Sequence, residues 1–111
     1  MAVIDRDHDT AERVLCILSQ EYPPSDTTRT LPVFDREHGQ FLLLDEGWEG
    51  SRRVHQVWAH IEAADGKFRI HEDGTEKGIA NLLLETGVPR DRIVLAFYSP
   101  THRKATDFAA A

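Results

Sequence analysis

The sequence predicts an α+β domain in which an N-terminal helix, four mostly antiparallel strands, a second helix and a last strand follow one another. Three stretches carry that prediction. Residues 67–89 contain a strand, a helix start, a helix and a helix stop in unbroken succession. Residues 9–24 repeat apolar side chains at helical spacing and end in two prolines. Between them, Asp65-Gly66 sits between two alternating runs, the strongest hairpin signal in the chain.

The first helix is expected to start at Asp9, with Glu12 three residues on as its reciprocal cap. Ala11, Val14, Leu15, Leu18 and Tyr22 form its apolar face, and Pro23-Pro24 stops it. Residues 25–30 read as a polar loop. A strand follows from Leu31 to Arg36, short or at an edge because Pro32 lacks an N–H. After a turn at Glu37-His38-Gly39, Gln40 to Asp45 forms the next strand. Its run Phe41-Leu42-Leu43-Leu44 is apolar on both sides, which places it centrally or at an interface.

Gly47-Trp48-Glu49-Gly50-Ser51 reads as a break between strands. Alternation resumes from Val54 to Ala64, with Val57, Ala59, Ile61 and Ala63 on one face and Trp58, His60 and Glu62 on the other. A two-residue turn at Asp65-Gly66 then fixes the register. Ala64 opposes Lys67, Ala63 opposes Phe68, Ile61 opposes Ile70 and His60 opposes His71. Asp73 with Glu76 should cap the second helix, whose apolar face is Ile79, Ala80, Leu82, Leu83 and Leu84. Gly87 and Pro89 close it near Thr86. Arg92 to Tyr98 lacks polar alternation and reads as an interior strand, and Phe108 should anchor the tail.

The 111 residues suit one domain, 1–111, with a twisted sheet carrying both helices on one face. Cys16 is the only cysteine, which excludes an intrachain disulfide and fits a reducing cytoplasm. The segment MAVIDRDHDT has no apolar core, and the longest apolar run, Ile93 to Tyr98, is too short to span a bilayer. Neither export nor membrane insertion is expected. With 13 basic and 19 acidic residues the formal charge is -6, so direct DNA contact by the isolated chain is not expected. Arg52-Arg53 and His102-Arg103-Lys104 are the two basic clusters.

Two imidazoles at one cross-strand site, His60 and His71, with Glu62 and Asp73 on the same expected face, offer ligands for a metal. Solvated histidines on a polar sheet face are the plainer reading. Asp73-Gly74-Thr75-Glu76 resembles an acid pair, yet helix capping explains the same residues without chemistry. Trp48 and Trp58, with Arg52, Arg53 and His55 between them, have the composition of protein–protein hot spots. No phosphate-binding glycine loop, nucleophile elbow or metalloprotease helix occurs.

One family shares an ordered set of these residues. Gly47-Trp48-x-Gly50, Arg53-Val54-His55, His60-Ile61, Asp65-Gly66-Lys67, Asp73-Gly74-Thr75-Glu76-x-Gly78-Ile79-Ala80, Gly87-Val88-Pro89, Asp91-x-Ile93-Val94-Leu95-x-Phe97 and Pro100-x-x-Arg103-x-x-Thr106-x-Phe108-Ala109 resemble the XisI family. These are the fdxN element excision controlling factors of cyanobacteria and some other bacteria. The similarity is close from Gly47 to Ala111, and the chain departs from the family pattern at Arg69 and His71. The resemblance implies a small cytoplasmic α+β protein tied to excision of a DNA element, in which a separate recombinase performs strand chemistry and a XisH-type, nuclease-like protein is the partner. It transfers no catalytic residue. The motif positions it offers as an interaction surface are Trp48, Arg53, His55, His60 and Arg103.

The expectation is therefore a non-enzymatic accessory factor that needs no cofactor or metal and binds a protein partner. Two alternatives stand beside it: a metal-assisted hydrolase using His60, His71 and Asp73, and a weak DNA-binding subunit using Arg52, Arg53, Arg103 and Lys104. The two-sided apolar character of Phe41–Leu44 and Ile93–Tyr98 also leads us to expect a homodimer or higher homo-oligomer.

Overall fold

The computed structural model describes residues 3–23 and 25–111, with side chains from residue 5 onward. Helix α1 (Val3–Glu21) leads into strands β1 (Thr28–Asp35), β2 (Gln40–Glu49), β3 (Arg52–Ala64) and β4 (Lys67–Asp73). Helix α2 (Ile79–Glu85), a single 3-10 turn (Arg90–Arg92), strand β5 (Ile93–Leu95) and a one-turn helix α3 (Pro100–Arg103) complete the chain. The sheet order is β1-β2-β3-β4-β5, antiparallel except for β4 with β5. The expected α+β architecture is present. Among the described residues no helix is long and apolar enough to cross a membrane.

Both helices cover one face of the sheet. Ala11, Val14, Leu15 and Leu18 of α1 and Ile79, Ala80, Leu82 and Leu83 of α2 join Phe41, Leu43, Ala59, Ile61, Ala63, Phe68 and Ile70 in a single core. Helix α1 begins six residues before the expected Asp9. Asp9 and Glu12 are not its cap; one turn apart on its surface, they clamp the Arg36 guanidinium at 2.6 and 2.8 Å. Pro24, half of the expected stop, lies outside the described residues. Strand β1 also starts earlier than expected, at Thr28, and lies at the sheet edge as Pro32 required.

The β3–β4 register follows from its turn. Asp65 (φ 55°) and Gly66 (φ 74°) both adopt positive φ, as a two-residue hairpin with right-handed twist demands. Ala64 pairs with Lys67, Ala63 with Phe68 and Ile61 with Ile70, as expected. A bulge then shifts the pairing, so His60 opposes Glu72 instead of His71.

Asp73 does cap α2, though from a distance. Its Oδ1 accepts the Thr75 N–H and hydroxyl at 3.1 and 2.6 Å, and its Oδ2 accepts the Ile79 N–H at 2.9 Å. The helix thus starts at Ile79 rather than beside Asp73, and Glu76 stays exposed. At the other end the Gly87 N–H donates to Leu84 O and the Val88 N–H to Leu83 O, the paired bonds of a Schellman stop, with Val88 buried.

Strand β5 corrects the expectation of an interior strand. It is a three-residue edge, and its apolar run is covered instead by the C-terminal segment. There the Ala109 N–H donates to Ile93 O at 2.9 Å and Phe108 packs on the core.

Candidate functional site

Among the described residues no element covers the face of the sheet opposite the helices, and three of its rows cross β1, β2 and β3. Cross-strand partners and alternate residues share a face. One row is Arg29, Glu46 and His55; the next is Leu31, Leu44 and Val57; the third is Val33, Leu42 and His60. Strands β2 and β3 continue past these rows as a hairpin arm closed at Gly50-Ser51, where Trp48 pairs with Arg53 and Glu49 with Arg52. The expected break between strands is therefore the turn at Gly50-Ser51, and Gly47, Trp48 and Glu49 belong to β2.

A bulge in β3 sets this composition. Leu43 pairs with Ala59 but Leu44 with Val57, leaving Trp58 as the extra residue. Trp58 turns toward the helix side, its ring edge-on to Tyr22 at 6.0 Å and its Nε1 donating to Asp45 at 2.9 Å. Val57, expected in the core, is pushed to the open face and is 38% exposed; Val33, on the same face two strands away, is 44% exposed. Leu42 and Leu44 are half-buried between them. Apolar side chains thus occupy the middle of a face that, among the described residues, no other element covers.

The arm end of the face is ordered by charge. Glu46 accepts from Arg29 Nε at 2.8 Å and from Arg53 Nη1 at 2.9 Å. Those two hydrogen bonds, from Arg29 first and then Arg53, hold its carboxyl below the usual range. The Arg53 guanidinium lies 5.5 Å from the centre of the half-exposed Trp48 ring, within cation–π reach. Arg52 is engaged by Glu49 at 3.0 Å.

At the opposite end the His60 and His71 rings remain neighbours despite the bulge, 4.8 Å apart and tilted by 38°. His60 Nε2 donates to Gln40 Oε1 at 2.7 Å, and His71 Nε2 to Glu62 Oε1 at 2.9 Å. Burial, then the neighbouring His71, lowers the pKa of His60 below the ordinary imidazole value. The hydrogen bond from His71 holds Glu62 below its own.

Four of the five expected interaction residues, Trp48, Arg53, His55 and His60, share this face. Arg103 does not join them. Its Nε donates to Tyr98 O at 2.9 Å and its Nη1 to Ala110 O at 3.5 Å, which ties down the segment after β5. The two basic clusters also stay apart, Arg52-Arg53 on the arm and residues 102–104 beyond β5, with β4 between in the sheet. For the hydrolase alternative, Asp73 spends both carboxylate oxygens on the α2 cap, and His60, His71 and Asp73 do not converge. Among the described residues the one trio of ligating side chains within 4.8 Å is Asp35, Glu37 and His38, all exposed at the β1–β2 turn. There Asp35 accepts from His38 Nδ1 at 2.7 Å.

Sequence reasoning missed a polar pin behind the sheet. Arg92 Nη2 donates to the buried Asp7 at 2.6 Å, its Nε donates to Gly66 O at 2.7 Å, and its guanidinium sits 5.5 Å from the Phe68 ring centre. A cleft of about 310 Å³ opens beside it, lined by Arg6, Asp7, Thr10 and the end of α2. Asp7 and Arg92 are 85 residues apart, so no local pattern announces them.

Residues 1–110 match the XisI protein family. No curated protein matches the chain. A XisI-like protein from Anabaena variabilis ATCC 29413 superposes with a TM-score of 0.91 at 24% identity, over 97% of this chain and 99% of that one. The fdxN element excision controlling factor XisI from the same organism gives a TM-score of 0.78 at 30% identity, over 96% of each chain.

Proposed function

We propose that this chain, which belongs to the XisI family, is an accessory factor in the excision of a DNA element and works by docking a protein partner on the open face of its sheet. The likeness to an fdxN element excision controlling factor at 30% identity supports the excision role. The observation that supports docking is the face itself. Leu31, Leu42, Leu44, Val33 and Val57 form an apolar centre, flanked by Trp48 stacked with Arg53 at one end and the histidine pair at the other. An apolar centre with an aromatic–arginine anchor and a polar margin is the anatomy of a protein interface. Most charges on this face are already matched within the fold, which favours a protein over a phosphate backbone.

The partner is a XisH-type, nuclease-like protein, and the net charge of -6 complements a basic DNA-handling surface. The chain contributes binding, not bond chemistry. Co-purification of the two proteins tests this: retention at low salt that survives Arg103→Ala but not Trp48→Ala supports the open face. Failure of the pair to associate at low salt removes the reading.

A further inference from the structure

Away from the open face, we propose that the cleft at the C-terminal end of α1 binds the guanidinium of an arginine side chain presented by another polypeptide. Thr30, Asp45 and Gln56 are cross-strand partners on β1, β2 and β3, and they alternate with the open-face rows, so they lie on the helix side of the sheet. The helix ends before it covers them. What remains is a cleft of about 280 Å³ lined by Tyr22, Pro23, Asp45, Gln56, Trp58 and Gly74. Pockets for drug-sized ligands occupy about 300–1,000 Å³, so this one suits a single side chain.

Asp45 supplies the charge. Its Oδ1 accepts from Trp58 Nε1 at 2.9 Å and from Thr30 Oγ1 at 2.7 Å, while among the described residues its Oδ2 accepts no hydrogen bond. The amide oxygen of an asparagine would serve both donors, so the fold accounts for the shape of this side chain and not for its charge. None of the residues lining the cleft is basic. A cation is the complement the cleft lacks.

Two further features point the same way. The Tyr22 and Trp58 rings meet at 65° with their centroids 6.0 Å apart, forming an aromatic corner over which a cation is attracted. Pro23 and Pro24 also lack the N–H groups that a continuing helix would donate to the carbonyls of Ser19 and Gln20. The negative end of the α1 dipole is thus left with bare acceptors beside the cleft.

The acceptors select the cation. Asp45 Oδ2, the Gln56 amide oxygen and the last carbonyls of α1 lie in several directions, which suits a planar group with five donors that stacks on an indole. A quaternary ammonium has no donor to give them, and a lysine ammonium is more strongly hydrated. Free arginine would bring its own carboxylate near Asp45 with no basic side chain to receive it. In a polypeptide that carboxylate is an amide.

Titration of Nα-acetyl-arginine methylamide into isotope-labelled chain, followed through the indole N–H resonances of Trp48 and Trp58, tests the site. The Trp58 resonance should move saturably, with a Kd on the order of millimolar for one isolated side chain, and that of Trp48 should stay in place. The lysine analogue should bind more weakly, the citrulline and trimethyllysine analogues should not saturate, and free arginine should bind no better than the blocked form. Asp45→Asn keeps an acceptor for Trp58; it should retain its circular dichroism and weaken arginine binding about tenfold or more. Gln56→Lys changes an exposed side chain and sets a tethered cation at the cleft, so it should abolish binding. A Trp58 resonance that no probe moves, a citrulline, trimethyllysine or free arginine probe that binds more tightly than the blocked arginine or equally well in the first two cases, or unchanged binding by Gln56→Lys or by a folded Asp45→Asn would each overturn the proposal.

Discussion

Replacing Asp7 with alanine should cost this fold more than any exposed ion pair would. Asp7 is 8% exposed, and its carboxylate meets Arg92 Nη2 at 2.6 Å. The Arg92 side chain is 31% exposed and keeps its bond to Gly66 O. Removing one partner of a fully buried pair costs about 3–5 kcal/mol, because the other charge is left without compensation. The partial exposure of Arg92 reduces that to roughly 2–3 kcal/mol, since water screens the stranded guanidinium. For a chain of this size that lowers Tm by roughly 10–20 °C. Urea unfolding of the wild type, Asp7→Ala, Arg92→Met and the double variant measures the loss and the coupling. Arg36→Ala is the control, because it opens an exposed clamp on Asp9 and Glu12 and should cost less. A loss of under about 1 kcal/mol for Asp7→Ala, or one no greater than for Arg36→Ala, would refute the assignment of this pin as structural.

Three further outcomes are expected. Gly39→Ala should destabilise by more than about 2 kcal/mol, since φ is +67° and the new Cβ would collide with Ala63 O; Gly66→Ala, at φ +74° with open space around it, should cost only about 1 kcal/mol, read by urea unfolding. Asp73→Ala should cost about 1–2 kcal/mol in the same assay, the loss of a cap that holds the Ile79 and Thr75 N–H groups. Stability should fall on acidification from neutrality: His60 binds its proton less readily folded than unfolded, so its contribution is complete above the ordinary value of 6.5 and is lost as pH falls through the lowered one. Glu62, also lowered, acts with the same sign further into acid. His60→Asn should flatten the first part of that slope in a pH series of unfolding midpoints.

Where a local pattern determines the geometry, the fold was legible. Asp65-Gly66 specified both the turn and the register as far as Ile61–Ile70, because positive φ at two successive positions allows few other closures. Gly87-Val88-Pro89 announced the α2 stop for the same kind of reason. The candidate face was half legible. Trp48, Arg53, His55 and His60 were identified by type and do share a face, while the apolar rows between them were hidden by the bulge at Trp58. A bulge breaks period 2 without any glycine or proline to mark it, so Val57 was assigned to the core that it leaves. Helix α2 starts late because Asp73 reaches the Ile79 N–H across a loop held by Thr75, and a D-x-x-E pattern cannot distinguish that from an immediate cap. The early start of α1 was obscured by Asp9 and Glu12, whose role is to hold Arg36.

Isothermal titration of the proposed XisH-type partner into wild-type chain, Trp48→Ala and Phe97→Ala tests the proposed docking face most directly. Trp48 and Phe97 are similarly exposed, at 50% and 45%, but Phe97 lies beyond β5 rather than on the β2–β3 arm. Binding through the open face requires that Trp48→Ala cost about 2 kcal/mol, roughly a thirtyfold weaker Kd, and that Phe97→Ala leave the affinity unchanged. Equal losses, or a loss confined to Phe97→Ala, would contradict it.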